Sequence, residues 1–409
     1  MGFYKPRVYY PLLMCSLVFS LIACTKDRED PRAPAPAAAP LLQVNAAPAE
    51  TVSEGTSAVQ FEITSEVNAM QLVAHAENVQ LRLVKLLDSE GNFLFDSDNL
   101  LDRQISSAAV FQASPHTFNY PLIAKQAAIR SGSFFAFYET RDPRNNALLD
   151  SEVTLDVITK LDNDFSRGTL NINLLLGGVA SNSKATLDAT RSAMRISRIM
   201  LERFGILIYT NEISLPQLPD IVNNPITGDS LYEELSAASE GGINLIIAND
   251  IRNFTSERYV SALAGASPGP VIPTRRSAIV VSIRKATGTD GLFDASFSSS
   301  SNRQTVDRLD DSEIRLFAES ITHAILRYLG LPISQNFAAG ITADTDGLDS
   351  EKCPTLNSCQ DNKGANGNLM FPFPLQVFGS RNNSGDSFFP RDRLSKQQIE
   401  IAQRHMGID

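Results

Sequence analysis

The stretch 323–333 reads HAILRYLGLPI and ends a long segment in which apolar residues recur at helical spacing. Gly330, followed two residues later by a proline, marks the end of the helix, because both residue types terminate helices. His323 and Arg327 are four residues apart, so a helix places them side by side on one face. The stretch therefore predicts a helix over about 310–329 whose last turns present a histidine beside an arginine.

Two more helices and several short apolar runs surround this segment. One helix is predicted over 183–204, with Gly205 at its C-terminal end, and another over 395–406, where Ser395 opens the segment. Apolar-rich runs of four to six residues are too short for helices and predict buried strands; they are 206–209, 243–248 and 278–283. Residues 181–409 are therefore predicted to form an α/β domain with a mixed sheet and three main helices.

The stretch 323–333 resembles the zinc-binding motif of the metzincin metalloproteases, H-E-x-x-H-x-x-G-x-x-H. In that motif three histidines bind zinc and the glutamate is the general base. His323 matches the first ligand. Ala324 stands at the position of the base, Arg327 at the second ligand and Ile333 at the third. The resemblance implies a metzincin-like fold whose zinc site has lost three of its four chemical groups.

Other segments, in the same order as in the family, support the resemblance. The stretch 368–371, NLMF, resembles the Met-turn beneath the zinc, with Met370 as its methionine, and 394–405 resembles the closing helix. Upstream, 243–251 resembles a strand of the family's sheet and 264–269 the segment after it. The pattern is most similar to the pappalysin-like branch of the family.

The replaced zinc ligands and the replaced general base argue against a catalytic zinc site. A catalytic zinc needs about three protein ligands and an open position. Arg327 carries a fixed positive charge that repels a metal ion, and no motif positions the other three histidines. We interpret His323 as a hydrogen-bonded relic, and we expect Arg327 to occupy the old metal position and pair with a carboxylate. A rearranged site that uses Glu319, one turn earlier, is the alternative.

Two further features lie between the third-ligand position and the Met-turn. The pappalysin-like branch often carries cysteines there, and Cys353 and Cys359 are expected to form a disulfide in an oxidising compartment, with free thiols as the alternative. Four acidic residues in a glycine-containing loop offer oxygen ligands for calcium, although their order does not match an EF-hand. They are Asp344, Asp346, Asp349 and Glu351. A solvated acidic loop is the alternative.

The first 50 residues predict export and lipid anchoring. Two basic residues precede an apolar stretch over 8–23 that is shorter than a membrane-spanning helix and runs into the sequence LIAC. We interpret 1–23 as a lipoprotein signal peptide and Cys24 as the site of diacylglyceryl and palmitate attachment; an uncleaved anchor is the alternative. The Ala- and Pro-rich residues 24–50 predict a tether. Thr25, instead of the aspartate of inner-membrane lipoproteins, indicates the outer membrane, on either face.

Residues 51–180 carry the period-two pattern of strands. Alternation over 79–83, the turn sequence DSEGN at 88–92 and the run FLF after it predict a hairpin. Further short runs lie at 118–122, 133–138 and 170–174. Short strands without a long amphipathic helix predict an antiparallel β-sandwich. Adhesion, spacing or partner binding are its expected roles, and a purely structural spacer is the alternative, because fold alone does not give function.

Charge and other motifs exclude several function classes. The net charge is -10 and no basic run occurs, so nucleic acid is not an expected partner. The stretch 265–269, GASPG, has the letters G-x-S-x-G, but Pro268 lacks the backbone N–H that a serine hydrolase needs there. No P-loop or dinucleotide-binding glycine pattern is present.

The sequence as a whole predicts a lipid-anchored cell-envelope protein whose inactive metzincin-like domain binds a protein or peptide without cleaving it. Its predicted partners are the membrane, through the lipid on Cys24, and an extended peptide. The resemblance implies that this peptide would lie in the cleft in which the family lays out an extended peptide, with its backbone paired to an edge strand. No cofactor is expected for that function. The alternatives are an active metallopeptidase with zinc in a rearranged site and a purely structural envelope lipoprotein.

Overall fold

The computed structural model of the chain describes residues 42–99, 102–103, 106–122, 128–161, 165–178, 183–215, 221–223, 233, 235–236, 242–252, 262–283, 311–334, 367–370 and 391–408. All of them belong to one compact unit. None of the helices in these ranges is both long and apolar enough to cross a membrane.

Ten of the described strands form two antiparallel sheets. They are β1 (Leu42–Asn45), β2 (Glu50–Ser53), β3 (Thr56–Ile63), β4 (Ala69–His75), β5 (Gln80–Leu87), β6 (Phe93–Asp96), β7 (Gln112–Ala113), β8 (His116–Tyr120), β9 (Gly132–Arg141) and β10 (Thr154–Lys160). One sheet has the order β1-β10-β4-β8, and the other has the order β2-β3-β9-β5-β6 with β7 beside β5.

The two sheets share one core, as the predicted sandwich requires. Inward residues alternate with outer ones along β3 and β9, and they pack against residues of β4, β8 and β10 in a single buried cluster. The rings of Phe95 and Phe118 lie 5.0 Å apart between the sheets. The prediction of two packed antiparallel sheets is confirmed.

The predicted hairpin joins β5 and β6. One carboxylate oxygen of Asp88 accepts hydrogen bonds from the backbone N–H groups of Glu90 and Asn92, at 2.9 and 2.8 Å. Gly91 has a φ of +83°, a conformation that favours glycine. The turn residues that the sequence pattern used for this prediction therefore make the contacts that close the turn.

The second half of the chain forms a five-stranded sheet covered by helices. Its described elements are β11 (Gly168–Gly177), α1 (Lys184–Glu202), β12 (Ile206–Leu215), β13 (Ile221–Asn223), β14 (Ile243–Ala248), β15 (Asp250–Arg252), β16 (Ala262–Ala264), β17 (Ala278–Ser282), α2 (Asp311–Tyr328) and α3 (Lys396–Gln403). The sheet order is β12-β11-β14-β17-β16, and only β16 runs antiparallel to its neighbour. β13 and β15 form a separate parallel pair.

Strand β11 corrects the sequence analysis, which assigned 170–174 to the sandwich. Asn171 and Asn173 alternate with apolar residues, a pattern that suggested one solvent-facing side. In the structure Asn173 lies in register with Asn211 of β12 and Asn244 of β14, and their amides are hydrogen-bonded at 3.4 and 3.1 Å. Asn173 is half-buried and Asn211 is exposed, so the amides form a mutually bonded polar row on one face of the parallel sheet. The antiparallel sheets therefore end with β10.

Local sequence signals set the ends of the helices. The Ser183 hydroxyl accepts a hydrogen bond from the N–H of Thr186 before α1, and Gly205 follows that helix with a φ of +78°. Ser395 and Gln398 form a reciprocal capping box at the start of α3. All three predicted helices are confirmed, with ends that differ by one to three residues.

A polar junction, centred on Gly269, joins the sandwich to the helices. The side chain of Gln71 on β4 is fully buried; its Nε2 donates to the carbonyl of Gly269 at 3.0 Å, and its Oε1 accepts from the N–H of Val271 at 2.7 Å. The Gly269 N–H donates to the carbonyl of Tyr328 at 2.6 Å. His405 Nε2 also donates to the Gly269 carbonyl, at 2.8 Å. This Gly269 junction fixes the C-terminal end of α2 relative to the sandwich.

Candidate functional site

The last turns of α2 carry the residues that the sequence motif singled out. Ala324 is buried and packs in the core of the α/β half, together with Ile325 and Leu326. His323 and Arg327 are half-buried on the adjoining face, one helical turn apart. The helix therefore turns the alanine at the base position into the core and leaves two nitrogen-bearing side chains at the surface of the site.

His323 is held by the segment that resembles a Met-turn. Its Nδ1 lies 2.8 Å from the carbonyl oxygen of Leu369. A carbonyl can only accept, so Nδ1 carries the hydrogen and the neutral ring keeps a lone pair on Nε2. Burial lowers the pKa of His323 to about 3, the charges of Arg391 and Arg327 act in the same direction, and the hydrogen bond to Leu369 opposes them. The ring is therefore neutral at physiological pH.

Arg327 has a backbone partner. Its Nη1 donates to the carbonyl of Leu331 at 2.6 Å, and its own carbonyl accepts from the hydroxyl of Ser267 at 2.7 Å. Burial lowers the pKa of Arg327 to about 10, so the guanidinium stays charged at neutral pH. Across the ranges that the structure covers, no carboxylate pairs with it, and the expected carboxylate partner is not among those residues.

A buried ion pair lies one turn before His323. Glu319 is 1% exposed, and its Oε2 accepts from Nε of Arg391 at 3.1 Å. Its Oε1 accepts from the backbone N–H of Arg391 at 3.2 Å and from Nε of Arg315 at 3.3 Å. Burial raises the pKa of Glu319, and the charges of the two arginines oppose that shift. These contacts occupy both carboxylate oxygens, which disfavours the rearranged site that would use Glu319.

The segment with Met370 lies directly beside α2. Met370 is fully buried, and its N–H donates to Oδ1 of Asn368 at 2.8 Å. The amide of Asn368 donates to Gln398 of α3 at 2.8 Å. The carbonyl of Met370 accepts from the N–H of Ser334 at 2.9 Å. The turn thus links α3, the end of α2 and the ring of His323.

The described donor groups do not fit a zinc ion. Within the described ranges no three His, Cys, Asp or Glu side chains come together in a way that could hold a metal. Near His323, the second-ligand position carries a guanidinium, which repels cations, and the third carries the hydrocarbon side chain of Ile333. The predicted lipid site, disulfide and calcium ligands lie outside the described residues; they are Cys24, Cys353, Cys359, Asp344, Asp346, Asp349 and Glu351.

Two arrangements escaped the sequence analysis. Arg391 neutralises a carboxylate 72 residues earlier in the chain, and no local signal announces that pair. A cleft of about 840 Å³ opens between the ends of β4 and β10 and the segment 273–275, with His75, Glu77, Glu152 and Arg275 in its wall. Nε2 of His75 is 3.0 Å from Oδ2 of Asp156 there. Both arrangements combine residues from distant parts of the sequence.

No family model matches the chain, and no curated protein does. Among the solved structures that match, archaemetzincin from Methanopyrus kandleri is 11% identical with a TM-score of 0.31, over 60% of this chain and 98% of its own. Metalloproteinase-II from Bacteroides fragilis is 9% identical with a TM-score of 0.32, over 61% of this chain and 62% of its own. The chain is similar to these two structures at low identity.

Proposed function

We propose that this chain is a lipid-anchored cell-envelope protein whose metzincin-like half binds a protein or peptide without cleaving it. One observation carries the proposal: a charged guanidinium, that of Arg327, lies one turn from His323 where the motif requires a second zinc ligand. The missing base at Ala324 adds to it, because peptide hydrolysis by a zinc protease needs a carboxylate beside the metal-bound water.

The edge of the five-stranded sheet supports peptide binding. β16 is antiparallel to β17 and stands last in the sheet order. The chain then runs from β16 into the Gly269 junction beside the end of α2. An extended peptide that added to this edge would pass along α2, and its backbone hydrogen bonds would supply affinity. The proposed partner is therefore an extended segment of a protein or a peptide.

The place of action is proposed from the N-terminal sequence. The tether predicted over 24–50 is too long, because β1 and β2 place residues 42–45 and 50 in the antiparallel sheets. Export, cleavage before Cys24 and acylation there would leave the folded part on the Ala- and Pro-rich residues before β1, at the outer membrane. Labelling of cells with a radioactive or clickable fatty acid tests this, with Cys24→Ser as the control. The expected result is label on the wild-type chain and none on the variant.

Metal content tests the proposed loss of catalysis. Zinc in the full chain, purified from cells grown with zinc, is measured by mass spectrometry, and zinc affinity by titration calorimetry, with His323→Ala as the matched control. We expect far less than one zinc per chain and no difference between the two proteins. One tightly bound zinc per wild-type chain, lost in the variant, would contradict the proposal.

One contact favours the alternative, an active zinc metallopeptidase with a rearranged site. Metal-binding histidines usually donate their second ring N–H to a carbonyl or carboxylate, and His323 does so toward Leu369. Its Nε2 thus has the orientation of a ligand, although Arg327 opposes a cation there. Cleavage of an unstructured protein substrate, stimulated by zinc and abolished in His323→Ala, would establish this alternative.

A further inference from the structure

We infer that His323 and Arg327 form a receptor for the carboxyl terminus of a peptide, with the carboxylate on the guanidinium and the last amide N–H on the imidazole. The inference rests on the proposed function, because it specifies which part of a bound peptide reaches the end of α2. It assigns a ligand group to the position at which the motif would hold a metal ion.

The guanidinium of Arg327 has one edge in use and one edge open. Nη1 donates its hydrogen bond to the carbonyl of Leu331. Nε and Nη2 make no hydrogen bond to any described residue, and neither is sealed from solvent. These two groups form the side of a guanidinium that binds a carboxylate through two parallel hydrogen bonds. The open edge therefore matches a carboxylate in shape and in charge.

The local charge also favours an anion. Besides burial, the guanidinium charges of Arg391 and Arg327 lower the pKa of His323, so both act on the ring as positive charges. Arg327 carries its positive charge about two turns beyond Glu319 on the same helix. Arg327 has no counter-ion among the described residues, and a half-buried charge of this kind is costly until an anionic ligand pairs with it. The field at the end of α2 is thus suited to a carboxylate.

The imidazole of His323 supplies the second half of the receptor. Since Nδ1–H donates to Leu369, Nε2 is an acceptor, and it has no hydrogen-bond partner in the described part of the chain. A ligand that binds here must therefore place an N–H or O–H donor at Nε2, beside its carboxylate. His323 and Arg327 are one helical turn apart, where side chains stand roughly 5–6 Å from each other at Cβ. The ligand must therefore carry a donor close to its negative charge.

A peptide's carboxyl-terminal residue meets that requirement by its covalent structure. Its amide N–H and its α-carboxylate are attached to the same Cα atom, so both can face one small receptor. An internal peptide group has the N–H but lacks the charge. An aspartate or glutamate side chain has the charge, but one or two additional carbon atoms separate its carboxylate from Cα, so rotation of the side chain does not fix the carboxylate beside its own N–H. The chain terminus is the group that satisfies both residues at once.

Binding of matched peptides to the full chain tests the inference. A fluorescent mixture of random decapeptides with free carboxyl termini is compared with the same mixture amidated, by anisotropy. Wild type should bind the free acids about 10- to 100-fold more tightly, the range expected for hydrogen bonds to a charged group. Arg327→Met, which keeps the apolar stem, should remove that difference, and His323→Phe should reduce it.

The controls separate this inference from the proposed function. Arg198→Met removes an exposed arginine of α1 and should leave binding unchanged. If no peptide of either kind binds wild type, the proposed function fails. If peptides bind, but acids and amides bind equally or Arg327→Met changes nothing, the inference fails and the proposed function stands. Equal binding of amidated peptides that carry an internal aspartate would overturn the assignment to the chain terminus.

Discussion

The Gly269 junction contacts Tyr328 at the end of α2, next to the face formed by His323 and Arg327. The two regions differ in how many of their polar groups are hydrogen-bonded. At the junction both amide atoms of Gln71 are bonded, and both ring nitrogens of His405 are bonded, one to Gly269 and one to the N–H of Gly407. On the other face, one imidazole nitrogen and one guanidinium edge are unused by the described residues.

This difference separates a structural role from a binding role. Buried polar groups that are fully paired stabilise one arrangement, and losing a partner leaves a desolvated group behind. Half-buried groups with unused donors and acceptors cost stability unless a ligand completes them. The junction is therefore expected to control folding, whereas the His323 and Arg327 face is expected to control binding. Substitutions at four positions test this difference.

Gly269→Ala should have the largest effect on stability. A Cβ at this position would lie 2.2 Å from the ring of Tyr328, which is itself fully buried and cannot move aside cheaply. We expect a loss of about 3 kcal/mol or more in the free energy of unfolding. Chemical denaturation of the full chain measures it, and a loss below about 1 kcal/mol would show that the junction is not rigid.

Gln71→Leu should come next. The leucine keeps most of the buried volume but leaves the N–H of Val271 and the side chain of Asn119 without their partner. The expected loss is about 2 kcal/mol, the usual penalty for an unsatisfied buried group. Gln71→Glu, which retains an acceptor for Val271 but introduces a buried charge, should be at least as damaging. A neutral outcome for both variants would contradict a structural role for Gln71.

The pH dependence of stability should change in His405→Gln. Burial lowers the pKa of His405 to about 4, below its ordinary value of 6.5. The unfolded chain therefore binds the proton first, and the folded state loses stability as the pH falls from about 6.5 to 4. This residue contributes a slope of up to about 1.4 kcal/mol per pH unit. Denaturation at several pH values should give a shallower slope in the variant, and equal slopes would refute the assignment.

Arg327→Met should have the smallest effect on stability. The guanidinium makes one hydrogen bond to a carbonyl, and its charge has no described counter-ion. The loss of this hydrogen bond and the relief of the unpaired charge act in opposite directions, so removal should change the free energy of unfolding by no more than about 0.5 kcal/mol either way. A loss above about 2 kcal/mol would mean that Arg327 is a structural residue like Gln71, and the comparison would collapse.

Much of the local structure could be predicted from the sequence. The capping residues Ser183 and Ser395, the turn at Asp88 and the apolar run 243–248 each act through neighbours a few residues away. Such contacts form wherever the segment is placed, so a pattern of residues is enough to predict them. The position of His323 and Arg327 on one helix face follows in the same way from their spacing.

The sequence by itself determined the helices, most strands, the side-by-side placement of His323 and Arg327, and the loss of the glutamate that a zinc protease needs. Only the tertiary structure decided that β11 joins the parallel sheet, that Arg391 forms an ion pair with Glu319, and that Gln71 donates a hydrogen bond to Gly269, 198 residues away. The physical reason is the distance along the sequence between the residues that interact. Capping and periodicity depend on adjacent residues, whereas strand order and buried polar pairs depend on which distant surfaces exclude water together.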